Sequence, residues 1–217
     1  MTERLAQLFD EQMMIWVASA CGEWGFDTPV EPIVQLVKQR LPAGIRTMIG
    51  LGIERGIVIP DGHTFRLKGL SDGKGPYKWL SRYNLERRPN PNWEYYVQVA
   101  EYVRLSLRTG TSDIRLTFED DLMDIGVYKN GQLVVCCEVK ETSIQASRLL
   151  SGIKRYQSGV DWATPDRGND ALRKAKYLIK RRPKYFYVVA IGIRHEFSVA
   201  FPAQDSFTLQ PDLIALD

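Results

Sequence analysis

Apolar residues recur at helical spacing along the first twenty positions. Leu5, Leu8, Phe9, Met13, Trp16, Val17 and Ala20 fall three or four apart, which predicts an amphipathic helix that ends near Cys21, before Gly22 and Gly25. Ile33, Val34, Val37 and Leu41 predict a second, shorter helix after Pro32. Ile45, Met48, Ile49 and Ile53 predict a third after Pro42, stopped by Gly56. Positions 57–68 read as two short strands around Pro60-Asp61-Gly62, a hairpin. Residues 69–92 are rich in Gly, Pro and Asn and read as a connection. Trp93, Tyr96, Ala100, Val103 and Leu107 then form the stripe of a helix running from Asn92 as N-cap to Gly110. Strands follow at 114–118, 122–128 and 133–140, helices at 143–156 and 170–181, and strands at 185–193 and 196–201.

This order predicts an α/β core, helices on both faces of a mixed sheet, preceded by a small helical domain. The expected boundaries are 1–70 for the helical domain, 71–91 for a linker broken near Pro89, and 92–217 for the α/β domain. Three helices followed by a hairpin resemble a winged helix-turn-helix. That resemblance implies a third helix in a DNA major groove, with Arg46 and Thr47 facing DNA, and a wing carrying His63, Arg66 and Lys68. A helical packing module that contacts protein is the competing reading.

Composition narrows the chemistry. The chain has 217 residues, 44% hydrophobic and 25% charged, enough for one large domain or two small ones. No apolar run approaches the roughly 20 residues that span a bilayer. The acidic, amphipathic N-terminus is unlike a secretory signal, so a cytoplasmic, non-membrane protein is expected. Three cysteines, two of them adjacent (Cys136 and Cys137), read as reduced core residues. Histidine occurs only at 63 and 195, which excludes a multi-histidine zinc site and leaves carboxylates, lysine and arginine to carry any chemistry.

The formal charge of +3 matters less than its distribution. Seven basic residues lie between Arg66 and Arg88, interleaved with aromatics, and seven more between Arg173 and Lys184 with no acid among them. Between these runs stand Asp113, Glu119, Asp120, Asp121 and Asp124. Solvated faces are the bland reading. The alternative sets basic runs against phosphates while carboxylates hold a cation.

The most informative segment is positions 123–141, where Asn130-Gly131 turns one strand back on the next. Glu138 and Lys140 are two apart and share a side, after an apolar run that suggests burial on both faces. A plain two-residue loop pairs position 123 with 138 and puts Asp121 on the charged face. A three-residue loop with a bulge, or a strand bend, shifts the parity and brings in Asp124 instead. Asp124 is preferred, with Asp121 in reserve.

Asp124, an apolar hairpin, then Glu138-Val139-Lys140 resembles the PD-(D/E)XK nuclease superfamily, the restriction-endonuclease-like fold, over roughly residues 92–200. Met123 stands where the motif's name has proline, and Lys154-Arg155-Tyr156-Gln157 does not reproduce the Gln-x-x-x-Tyr element of some branches. The resemblance implies Asp124 and Glu138 as Mg²⁺ ligands, with Mn²⁺ as substitute. Glu101 on the preceding helix would assist, with Glu94 second, and Lys140 would be the catalytic lysine. Arg148, Lys154 and Arg155 on the following helix, with the basic 173–184 stretch, would meet backbone phosphates.

The expectation is therefore a metal-dependent DNA endonuclease, a homodimer or a subunit of a restriction, defence or mobile-element assembly. Two alternatives stand beside it: a non-catalytic DNA-binding regulator or assembly factor, and an RNase or structure-specific nuclease.

Overall fold

The computed structural model describes residues 2–70, 75–83, 85–109 and 113–211. The chain divides into two compact units, residues 1–107 and 108–217. Among the described residues no helix is long and apolar enough to cross a membrane.

The first unit opens with α1 (Thr2–Trp24), α2 (Val30–Arg40) and α3 (Ala43–Glu54). The stripe of α1 is buried at Leu5, Phe9, Met13, Trp16, Val17 and Ala20, the face its periodicity predicts. Pro29 and Pro42 immediately precede α2 and α3. A hairpin follows, β1 (Val58–Asp61) paired antiparallel with β2 (Thr64–Leu67), and Gly62 adopts φ +56° in its turn.

The expected linker is instead part of this unit. β3 (Tyr77–Lys78) adds a third strand beside β2, and β4 (Leu80–Tyr83) pairs with β5 (Arg88–Pro91). The physical reason is Trp79. It is fully buried, stacked on Trp16 at 4.6 Å and on Tyr96 at 5.2 Å, with Phe65 at 4.1 Å. Burying a large apolar side chain contributes about 1.5–3 kcal/mol, which outweighs the loop-forming bias of the Gly, Pro and Asn around it. Helix α4 (Trp93–Arg108) supplies Tyr96, so the boundary falls near residue 107 and not at 70–91. Expectations for residues 71–74 and for Gly110 fall outside the described residues.

The second unit holds β6 (Ile114–Asp120), β7 (Met123–Lys129), β8 (Gln132–Lys140), α5 (Ser143–Lys154), α6 (Asp170–Arg181), β9 (Tyr185–Ala190), β10 (Ile193–Ala200) and β11 (Thr208–Pro211). Its sheet runs β11-β10-β9-β8-β7-β6, parallel between β8 and β9 and antiparallel elsewhere. A parallel pair needs a long crossover, and α5 and α6 provide it. Thr142 starts α5 with a capping box: its hydroxyl accepts from the Gln145 amide, and the Gln145 side chain accepts from the Thr142 N–H.

Within this unit both helices share one face of the sheet. Leu149, Leu150 and Ile153 of α5 and Ala175, Leu178 and Ile179 of α6 join Tyr128, Leu133, Cys136, Phe186 and Val188 in one apolar cluster. The alternate positions Ile125, Val127, Val135, Cys137 and Val139 are buried too, as the continuous apolar run suggested. All three cysteines are buried free thiols.

Close approach of α1 and α3 depends on Gly50, where an added methyl group would overlap the carbonyl oxygen of Leu5. Backbone cannot yield as a side-chain tip can, so Gly50→Ala is expected to destabilise the protein by about 1–3 kcal/mol in urea unfolding. Wild-type stability in that variant would contradict the packing described.

Candidate functional site

The turn Asn130-Gly131 has positive φ at both residues, 50° and 77°, the conformation a two-residue hairpin loop requires. Lys129 pairs with Gln132 and Tyr128 with Leu133, but the next pair is Val127 with Val135. Val134 is therefore an extra residue, a bulge in β8, and it switches the parity of everything after it. Leu133 before the bulge and Cys136 after it both face the helices. The register then pairs Gly126 with Cys136 and Ile125 with Cys137; continued by one step beyond these last pairs it would set Asp124 across from Glu138, and the Asp124 carboxylate does accept the N–H of the adjacent Val139. The parity change comes from a strand irregularity behind a tight loop, the second of the two routes considered from sequence.

Glu138 and Lys140 share this face with Asp124, beneath the helical layer. Glu138 is 1% exposed, and each of its oxygens meets an ammonium group. Lys140 Nζ lies 2.7 Å from Oε1, and Lys174 Nζ lies 2.5 Å from Oε2. Lys174 also donates to the carbonyl oxygen of Leu122. Asp124 Oδ2 accepts the backbone N–H of Val139 at 2.5 Å. Burial first, and the neighbouring Glu138 charge second, push the Asp124 carboxyl up to about 8, against the opposing pull of the Val139 N–H, Lys174 and Lys140.

Sequence reasoning placed Lys174 in a generic basic run. Its distinguishing signal is position: Ala171, Lys174, Ala175 and Leu178 follow the i, i+3, i+4, i+7 spacing of the inward stripe of α6. A lysine in that stripe has to find a buried acid.

The remaining expected residues lie each within its own unit. Asp121 is exposed in the β6–β7 turn with φ 55°, so Asp124 and not Asp121 stands across from Glu138. Glu94 and Glu101 belong to α4 of the first unit, where Glu101 is buried and pairs with Arg104 at 3.5 Å. Arg148, Lys154 and Arg155 are exposed, and Lys154 lies over the Phe197 ring. Arg66 and Lys68 are exposed on and just after β2.

Three expected DNA contacts have partners within the first unit, and of these only His63 is buried. Arg46 is held by both oxygens of Asp10, at 3.0 and 2.8 Å, and the Thr47 hydroxyl donates to the Thr2 carbonyl. His63 is 4% exposed and packs on Trp24. The third helix is amphipathic, and these side chains lie where it meets α1 or where the hairpin meets Trp24.

The basic end of α6 is likewise not beside the carboxylates. Lys180, Arg181, Arg182 and Lys184 line a cavity of about 420 Å³ with Gly131–Val134, at the hairpin end of β8. Arg181 donates to the Tyr128 hydroxyl, which donates in turn to Asp120 Oδ2 at 2.7 Å.

The cluster fits a hard divalent cation in the kind of its donors. A buried carboxylate, Glu138, and a half-buried one, Asp124, lie on neighbouring strands, and a divalent cation would favour the ionised form of Asp124 that burial and the Glu138 charge disfavour. Among the described residues no group of three or more histidine, cysteine or acidic side chains is gathered to hold a metal. The donors assembled here are thus two carboxylates.

In the metal-free protein the folded chain keeps a proton on Asp124 that the unfolded chain releases between 3.8 and about 8. Stability therefore falls as pH rises through that window. Melting temperature is expected to decline from about pH 5 to about pH 8 in the wild type, and Asp124→Asn, whose amide does not ionise, is expected to lose that part of the decline. Parallel profiles would contradict the account of Asp124. No protein-family model, curated protein or solved structure matches the chain.

Proposed function

We propose that the chain is a divalent-metal-dependent nuclease of the PD-(D/E)XK type, hydrolysing phosphodiester bonds in DNA. The observation that carries this reading is the parity of the β7–β8 pair, which sets Asp124 across from Glu138 with Lys140 on the same face. The mixed sheet, with crossover helices on one face, is consistent with the restriction-endonuclease-like architecture that the motif implies.

Each group has a part in the proposed reaction. Asp124 and Glu138 would hold Mg²⁺, which would supply neutralisation of the charge developing on the phosphate oxygens. Lys140, on Glu138 Oε1 at 2.7 Å, is about a fifth exposed. Its ammonium orients the attacking water or stabilises the charge on the pentavalent phosphorus. Water oxygen bonds to phosphorus, one P–O ester bond breaks, and the water proton leaves as the departing oxygen gains one. In the first unit, three helices and a hairpin support a winged-helix reading, with Arg66 and Lys68 as phosphate contacts. A duplex cut would take two such sites, in a homodimer or in a larger assembly.

A second reading has its own observation. Both Glu138 oxygens already carry ammonium groups, as in a purely structural ion cluster. On that reading the protein binds duplex DNA without metal and does not cut.

Plasmid, linear duplex and single-stranded RNA incubated with Mg²⁺, and separately with EDTA, distinguish these readings. Mg²⁺-dependent DNA cleavage is expected, reduced at least about a hundredfold in Asp124→Ala, Glu138→Ala and Lys140→Ala. Cleavage by all three variants at the parental rate would remove the proposed site. Metal-independent binding without cleavage by any of the proteins would favour the regulator, and RNA cleavage alone would reassign the substrate.

A further inference from the structure

Lys174 is the one buried lysine among the described residues. A lysine and a glutamate buried together are costly to desolvate, and the arrangement holds only while each keeps its partner. Lys174 has two acceptors, Glu138 Oε2 at 2.5 Å and the Leu122 carbonyl, and its stem is fixed in the inward stripe of α6. Lys140, on the other oxygen of Glu138, is 22% exposed, so its ammonium meets water where that of Lys174 does not. The two sides of Glu138 therefore differ in their access to solvent: Oε1 lies on the side of the part-exposed lysine and Oε2 on that of the buried one.

Two-metal hydrolytic sites place their ions about 3.5–4 Å apart, between shared oxygen ligands. Here the second oxygen of Glu138 is taken by a protein cation. We infer that the Asp124–Glu138 pair takes a single divalent cation, bound through Asp124 and Glu138 Oε1, and that Lys174 stands permanently in the place of a second. Lys174 is then a positioning residue. It fixes the Glu138 carboxylate through one oxygen and holds the metal count at one. The inference rests on the nuclease reading, since it presumes that a cation binds at all.

Titration of the full chain with Mn²⁺ alone, with free ion followed by electron paramagnetic resonance, tests it without reference to activity. The wild type is expected to bind one Mn²⁺, lost in Asp124→Ala. Lys174→Met is expected to bind a second Mn²⁺ or to hold the first about tenfold or more tightly, because a unit positive charge next to the ion is gone. Lys174→Arg, which keeps the charge, is expected to retain one.

Two Mn²⁺ per wild-type chain, both lost in Asp124→Ala, would overturn the inference even if Lys174→Met fails to fold. So would a folded Lys174→Met chain with wild-type count and affinity; in both cases the nuclease reading survives. No Asp124-dependent Mn²⁺ in the wild type would overturn the inference and that reading together.

Discussion

Val134, the unpaired residue of β8, decides which side chains can meet at the end of the β7–β8 pair. Side chains alternate across a strand with period two, so one inserted residue exchanges the faces of all that follow. Continued from a two-residue loop without the bulge, the ladder would bring Met123 across from Glu138. With it, Asp124 takes that place, and Glu138, Lys140 and Asp124 lie together under α6, where Lys174 can reach them. The chemistry proposed for this chain depends on that parity.

A cluster of this kind is stable only as a set. Glu138 is buried and satisfied by two ammonium groups, while Asp124 is held by a backbone N–H and pushed toward its neutral form by burial and by the Glu138 charge. Removing one member leaves a buried charge or an unmet hydrogen bond on another. Added positive charge would draw Asp124 to its ionised form beside Glu138. That pair responds to a cation as a salt bridge between two surface side chains would not. The capped start of α5 and the apolar stripe of α6 supply the rigid layer that keeps these groups in register.

Much of the fold was legible because periodicity and punctuation agreed. The stripe of α1, the proline start of α3 and the Asn130-Gly131 turn each announce one conformation, whereas α2 begins at Val30 behind Pro29 and not after Pro32, which lies in its first turn. The segment around Trp79 was misread because Gly, Pro and Asn dominate its composition. Its place is set by a single indole among distant aromatics, which no local pattern encodes. Glu138 and Lys140 were legible from spacing. The choice of Asp124 over Asp121 turned on a bulge that has no side-chain signature in Leu133-Val134-Val135. Lys174 was concealed by its basic neighbours, although its place in the helical stripe marks it. Arg46 and His63, chosen as recognition positions, make contacts to Asp10 and Trp24 that their place in the sequence did not announce.

The central claim is that Asp124 and Glu138 together form a seat for a hard cation. Anomalous diffraction from crystals of the protein grown with manganese tests it directly. The account predicts a peak bridging the two carboxylates, at ligand distances of roughly 2.1 Å from an oxygen of each. Manganese ordered elsewhere in the crystal, with no density between Asp124 and Glu138, would contradict it.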